Sequence, residues 1–326
     1  MKLLITGGAG YIGSHFVKQL GDFTNYDITV LDNLSTGFRE SVLYGKFIRE
    51  DLSNWEFVKK LLEKEQFEGI VHFGASLVVP ESVTNPLKYY LNNTANSTNL
   101  IKCAIESGVK YFIFSSTAAT YGEPPKELIP INENAPLNPI NPYGRSKLMT
   151  EDILKDAAST NKNFKYIILR YFNVAGADLE GRIGQSTKNA THLIKVAAET
   201  ACGKREKILV FGKDYDTKDG TCIRDYIHVD DLANAHLLAL DYLKNNESDT
   251  FNCGYGKGYS VMEVINTMKR VTGTDFKVEI TGRRAGDPAE LVADNRKILK
   301  KLNFTPKYND LEIICKTAYE WEKKLR

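Results

Sequence analysis

The chain has 326 residues, 42% of them apolar and 26% charged, enough apolar material for a large core and too much for a disordered polymer. Its formal net charge is +2, so neither nucleic acid nor an anionic membrane is expected as a partner, and any basic site has to be local. Five scattered cysteines, Cys103, Cys202, Cys222, Cys253 and Cys315, show neither a disulfide framework nor zinc-ligand spacing. No metal is expected, and a reducing cytoplasm fits best.

The first apolar run, residues 3–6, reads as a buried strand and is too short for a signal peptide. Gly7-x-x-Gly10-x-x-Gly13 follows it directly and opens a helix whose first residues include Tyr11 and Ile12. Glycines so placed allow a tight turn and close approach of backbone to a pyrophosphate, which the free N–H groups of the helix start then meet. A second strand over 28–31 ends at Asp32 and Asn33. The Asp32 carboxylate suits the adenosine ribose hydroxyls and repels a 2′-phosphate, so NAD is favoured over NADP; a plain turn carboxylate is the alternative. Asp51 and Leu52, beyond a third strand, are candidates for the adenine side.

An amphipathic stretch over 55–64 leads to a strand over 70–73, a long helical stretch over 87–107 and a strand over 111–115. A helix over 147–157 and a strand over 166–169 continue the alternation. Strand and helix in turn imply an α/β fold, a doubly wound parallel sheet with helices on both faces. After about Gly176 the rhythm breaks into shorter, glycine-interrupted elements, read as a smaller α/β lobe. The expected division is 1–175 and 176–326, with a segment near 225–250 able to return to the first lobe. No stretch is long and apolar enough to span a bilayer.

Tyr143 and Lys147 are four residues apart, so on a helix they share a face. A free phenol titrates too high to act as a base at neutral pH. A neighbouring ammonium and a positive nicotinamide both favour phenolate and bring it toward the useful range. Asn141-Pro142 supplies the turn that starts such a helix. Upstream, Ser115-Ser116-Thr117 ends a strand at the carboxyl edge, where open α/β sheets bind ligands. Thr117 is chosen to hydrogen-bond the reacting alcohol, with Ser116 as the alternative.

Together these motifs resemble the extended short-chain dehydrogenase/reductase superfamily. Longer strings, LDNL at 31–34, IFSST at 113–117, LRYFNVAG at 169–176, GTCIRDYIHV at 220–229 and RRAGDP at 283–288, are similar to those of its UDP-hexose 4-epimerases, and the likeness runs from Met1 to about Trp321. The resemblance implies tightly held NAD and reversible inversion at C4 of a UDP-sugar through a 4-keto intermediate. It implies that Phe73, Gly74 and Ala75 line the dinucleotide and that Asn93, Ser115 and Phe172 complete the nicotinamide side. It assigns Asn173, Arg224 and Arg284 to the nucleotide diphosphate, Asp287 to the uridine ribose, Leu193 and Tyr226 to substrate binding, and the 176–326 lobe to the UDP-sugar. A homodimer is implied as well, through helices within 87–107 and 147–157 that carry Leu100, Ile101, Ile105, Ile153 and Leu154.

Three positions depart from the family. Leu77 replaces a common lysine near the cofactor, and His192 replaces a common asparagine at the nucleotide. Leu291 stands where hexose-restricted members carry a bulky tyrosine, which makes room for a 2-acetamido group and predicts action on UDP-GlcNAc and UDP-GalNAc as well as UDP-Glc and UDP-Gal. Two other readings share the fold, a nucleotide-sugar 4,6-dehydratase and a non-catalytic NAD sensor. The first requires an Asp-Glu pair where Ala118-Ala119 stand; the second has no use for Tyr143 and Lys147.

Overall fold

Short β-branched and aromatic runs become strands where the chain can cover both of their faces. The computed structural model describes residues 1–188, 190–284 and 287–325. In chain order the strands are β1 (Lys2–Thr6), β2 (Asp27–Asp32), β3 (Lys46–Arg49), β4 (Gly69–His72), β5 (Tyr111–Thr117), β6 (Lys165–Tyr171), β7 (Asn173–Ala175), β8 (Lys207–Phe211), β9 (Ile223–His228), β10 (Asp249–Cys253), β11 (Gly258–Ser260), β12 (Lys277–Thr281) and β13 (Glu290–Leu291). The helices are α1 (Tyr11–Phe23), α2 (Trp55–Glu65), α3 (Val79–Thr84), α4 (Pro86–Tyr89), α5 (Asn96–Glu106), α6 (Pro142–Thr160), α7 (Leu193–Ala201), α8 (Val229–Leu243), α9 (Val261–Thr272), α10 (Arg296–Lys301) and α11 (Leu311–Lys324). The chain divides into two compact units.

The first unit comprises Met1–Gly122, Leu137–Arg170 and Ala233–Phe251. Its seven-stranded sheet runs β10-β6-β5-β4-β1-β2-β3, with β1, β2, β3, β4 and β5 parallel to their neighbours. This is the doubly wound Rossmann-type arrangement anticipated from the alternation of elements. The strand order reverses at the β1–β4 pair, which opens a crevice at the carboxyl ends of the strands. Phe112, Phe114 and Ile70 fill one face together with Val58, Leu62, Leu100, Ala104 and Leu154. Each such large side chain contributes about 1.5–3 kcal/mol on burial.

Two sequence expectations need correction here. Residues 87–107 form not one helix but α4, a π-helical turn over Tyr90–Ala95, and α5. The apolar stripe offered for dimerization belongs to the core: Leu100, Ile101 and Leu154 are buried, and Ile105 and Ile153 pack against them. An apolar face at helical spacing satisfies an intramolecular partner first, because that partner is always at hand. Exposed apolar side chains on the same elements are instead Leu87, Leu91 and Met149.

The second unit comprises Glu123–Pro136, Tyr171–Leu232 and the chain from Asn252. In it β9 is flanked by β11 and β13 and also pairs with β7, while β12 and β8 form a separate parallel pair. The Glu123–Pro136 segment is tied to this unit by the Ile131 amide, which donates to Val292 O at 2.8 Å, and by the Asp294 amide, which donates to Ile131 O at 2.7 Å. Among the described residues no helix is long and apolar enough to cross a membrane, and no group of His, Cys, Asp and Glu is arranged to hold a metal.

Candidate active site

The glycine loop is built by backbone crowding. Gly7 has φ +71°, and a Cβ there would lie 2.6 Å from the Gly74 nitrogen; one on Gly13 would lie 2.3 Å from Gly7 O. Only glycine fits either position. Gly10 differs, since a Cβ there would meet nothing within 4 Å except Gly7 O at 3.2 Å. The lack of a side chain there leaves the backbone at the helix start open to close approach. Gly10 is also the N-cap of the thirteen-residue α1, without a capping side chain or an acidic residue in the first turn. That helix start suits a pyrophosphate.

The remaining cofactor candidates of the first unit are linked to this loop. Asp32, at the end of β2, accepts from Ala9 N at 3.0 Å and Leu34 N at 2.8 Å, and burial raises its pKa. The Asn33 amide donates to Asp51 at 2.5 Å. Burial opposes ionization of Asp51, yet bonds from Ser53 and Asn33 hold its carboxyl below the usual range. Leu52 lies against Gly74, and Phe73 packs on His236 with ring centroids 4.8 Å apart. Tyr11 meets His15 edge-on, while Ile12 and Ala75 are half-buried. Leu77 is exposed. The uncapped helix, the bare Gly10 and the carboxylate at the end of β2 together fit a dinucleotide.

The proton-transfer candidates meet where β5 ends and α6 begins. Asn141 caps α6 by accepting from Gly144 N at 2.9 Å, and Pro142 takes the first helical position. The helix thus starts earlier than the 147–157 stretch read from the sequence and includes Tyr143. Gly144 lets it close in, for a Cβ there would come within 2.6 Å of Ala119 O. The Tyr143 phenol is buried beside Thr117; burial pushes its pKa up, and the Thr117 side chain draws it back. Thr117 Oγ1 also accepts from Ala119 N at 3.1 Å.

Lys147, one turn further, donates to Ser115 O at 2.9 Å and lies over the Phe114 ring. Burial brings its pKa down to about 7, against an opposing pull from Glu151. Ser115 Oγ is 3.2 Å from His236 Nε2. Ser116, the alternative to Thr117, is otherwise engaged: its hydroxyl donates to Glu151 at 2.6 Å. Asn93, in the π-turn, accepts from Ser76 N at 2.7 Å and donates to Ser76 O at 2.9 Å and Ser146 Oγ at 3.1 Å. It ties the loop after β4 to α6.

The substrate candidates of the second unit centre on β9 and β13. Arg224 donates to Asp287 at 3.2 Å, and Arg284 lies 3.4 Å from the other oxygen of the same carboxylate. Arg224 therefore pairs with Asp287 and not with its neighbour Asp225, which accepts from the backbone of Tyr255, Gly256 and Ala293. Arg284 and Asp287 line a cleft of about 410 Å³ with Tyr215, Arg283 and Lys126, and Arg284 stacks on Phe211 at 4.2 Å. Ala285 and Gly286 of the 283–288 string lie outside the described residues. Asn173 sits beside the buried Tyr226, and Leu291 beside Arg224, in register. Leu193 opens α7, preceded by an exposed His192 whose Nδ1 is 3.1 Å from the Gln185 amide. Phe172 is buried, its amide donating to Cys253 O at 3.3 Å.

A family model described as the NAD dependent epimerase/dehydratase family matches residues 3–254. The chain belongs to that family. It is 48% identical to a UDP-glucose 4-epimerase of Azospirillum brasilense, over 99% of this chain and 92% of that one. Among solved structures it resembles the UDP-Glc/GlcNAc 4-epimerase of Campylobacter jejuni at 58% identity and a TM-score of 0.87, over 99% of both chains. A UDP-glucose 4-epimerase of Bifidobacterium longum in complex with NAD+ and UDP matches at 33% identity and 0.93, over 99% of this chain and 98% of that one. As a member of this family the protein uses NAD.

The fold adds His236, Glu151, Arg170, Phe211 and Tyr215 to the residues that the motifs single out. Only Glu151 left a local signal, standing four residues beyond Lys147 on the same helix.

Proposed function

We propose that this protein is an NAD-dependent 4-epimerase of UDP-hexoses, with the first unit holding the dinucleotide and the second the UDP moiety. The observation that carries this is the buried Tyr143 phenol at the start of α6, beside Thr117 and with Lys147 one turn along the helix. Tyr143 takes the C4 hydroxyl proton and later returns it, and Thr117 orients the alcohol for that exchange. Lys147 supplies positive charge that favours phenolate. NAD held by the first unit would supply a reversible hydride acceptor for C4, so that the inversion passes through a 4-keto sugar without net oxidation. Arg224 and Arg284 hold the diphosphate through their planar forks, and Asp287 the uridine ribose. The 4,6-dehydratase reading lacks its acid and base, since Ala118 and Ala119 form the turn after β5.

The substrate range is proposed to include UDP-N-acetylhexosamines, supported by Leu291 and by the printed activity of the Campylobacter jejuni relative. A homodimer is proposed as well, with Leu87, Leu91 and Met149 in place of the stripe inferred from sequence. Purified protein, given each of the four UDP-sugars without added NAD, is expected to reach an equilibrium mixture with its C4 epimer and to accumulate no NADH. Stoichiometric NADH would mark an ordinary sugar dehydrogenase. Light scattering on wild type and Leu91→Glu tests the dimer; a monomeric wild type ends that part of the reading.

A further inference from the structure

One buried ion pair lies directly behind the proton-transfer residues and has no part in the mechanism above. Glu151 is fully buried, four residues past Lys147 on α6. Its carboxylate accepts from Arg170 Nε at 3.0 Å and Arg170 Nη2 at 2.5 Å. It also accepts from Ser116 Oγ, the residue before Thr117, at 2.6 Å. Arg170, on β6, spends its third donor on the Tyr121 hydroxyl at 3.0 Å. Three segments, the end of β5, α6 and β6, are thus joined through one carboxylate.

A buried pair of this kind is weak evidence for stability alone, because desolvation offsets most of the attraction. Its placement points to another use. Thr117 must stay beside Tyr143, and Lys147 must remain charged although buried. The cations of this region lie close to Glu151. Arg170 and Lys155 stand with Lys147 on one side, and Lys155 is shared between Glu151 at 3.7 Å and Asp152 at 3.3 Å. His72, on β4, is buried and bonded through Nδ1 to Thr6 Oγ1 at 2.6 Å and through Nε2 to Ser97 Oγ at 2.8 Å. Tyr166 on β6 and Tyr121 after β5 complete the face. From α3 and α4 come Glu81 and Tyr89, already bonded to each other at 2.9 Å.

We propose that Glu151 is a positioning residue of the reaction: anchored by Arg170, its carboxylate fixes Ser116 and so Thr117 against α6, and supplies the negative charge that keeps Lys147 an ammonium. The inference rests on the epimerase reading and extends it to a residue that touches neither substrate nor cofactor. Glu151→Gln keeps the shape and one acceptor but removes the charge. Its kcat is expected to fall about tenfold, and the alkaline limb of its pH–rate profile to move down by on the order of one pH unit. Ser116→Ala keeps the charge but frees the strand end, so kcat falls several-fold with the limb in place. Glu151→Asp is expected to keep the wild-type limb at reduced rate.

Melting temperature and bound NAD, read from denatured protein, accompany each variant. A Glu151→Gln profile that coincides with wild type, or a Glu151→Asp limb displaced as far as that of Gln, overturns the proposal. Where Glu151→Gln loses NAD or fails to fold, the Asp and Ser116 variants decide it alone. Wild type that turns over no UDP-hexose defeats the epimerase reading itself, whereas active wild type with an unshifted Gln variant defeats only this inference.

Discussion

The Thr117 side chain draws the pKa of the buried Tyr143 phenol back against the effect of burial, so the end of a strand and the first turn of a helix meet at the candidate proton-transfer group. Tyr143→Phe is expected to lower kcat by about a thousandfold, and Thr117→Val by about ten- to a hundredfold. Both variants should retain NAD and wild-type melting. Turnover near wild type in Tyr143→Phe would remove the phenol from the mechanism.

His72 gives the fold an acid-sensitive point. Burial, reinforced by the charge of Lys147, lowers its pKa to about 3, whereas the unfolded chain titrates near 6.5. Between those values the unfolded state binds the extra proton, so stability rises with pH and is lost as pH falls from about 6.5 toward 3. The slope is at most about 1.4 kcal/mol per pH unit. Urea midpoints measured from pH 7 to 4 should fall less steeply for His72→Gln than for wild type. Parallel slopes would show that His72 is not the group responsible.

Leu291 lies next to Arg224 in register and is buried, so the steric account of sugar choice can be separated from simple packing. Leu291→Tyr is expected to cut kcat/KM for UDP-GlcNAc by tenfold or more while leaving UDP-Glc within about threefold. If the added bulk only strains the interior, both substrates lose together and the melting temperature drops, with a cost of about 1–3 kcal/mol.

Arg224 and Arg284 share Asp287 but differ in exposure, with side chains 11% and 45% exposed. The more enclosed charge is less screened and counts for more. Arg224→Met should raise the KM for UDP-sugar by about a hundredfold and Arg284→Met by about tenfold, with kcat nearly unchanged in both. Calorimetry with UDP checks the order, which reverses if Arg284 is the principal phosphate ligand.

Features set by local spacing were legible in the chain before any coordinates. The glycine loop, Asp32 and the Tyr143/Lys147 pair each sit within one turn or at one strand end, and their residue types have few other uses together. The bond of Ser116 to Glu151 was harder to see, although strand alternation already puts Ser116 on the face opposite Ser115 and Thr117. The π-turn at Tyr90–Ala95 has no composition signature, so 87–107 read as one helix. Pairings across long chain separations, Ser115 with His236 and Arg224 with Asp287, depend on topology and could not be read from spacing. The dimer stripe failed for the same reason, because periodicity reports that a face is apolar and not what covers it.

Thr117, Tyr143 and Lys147 belong to one folding unit, whereas Arg224, Arg284, Asp287 and the cleft around Tyr215 belong to the other. On the proposed assignment, donor recognition and bond chemistry are encoded on separable tracts of the gene. Diversifying residues 207–216 and 283–291 alone would let a laboratory library explore sugars carried on other nucleobases while the machinery of inversion passes through unaltered.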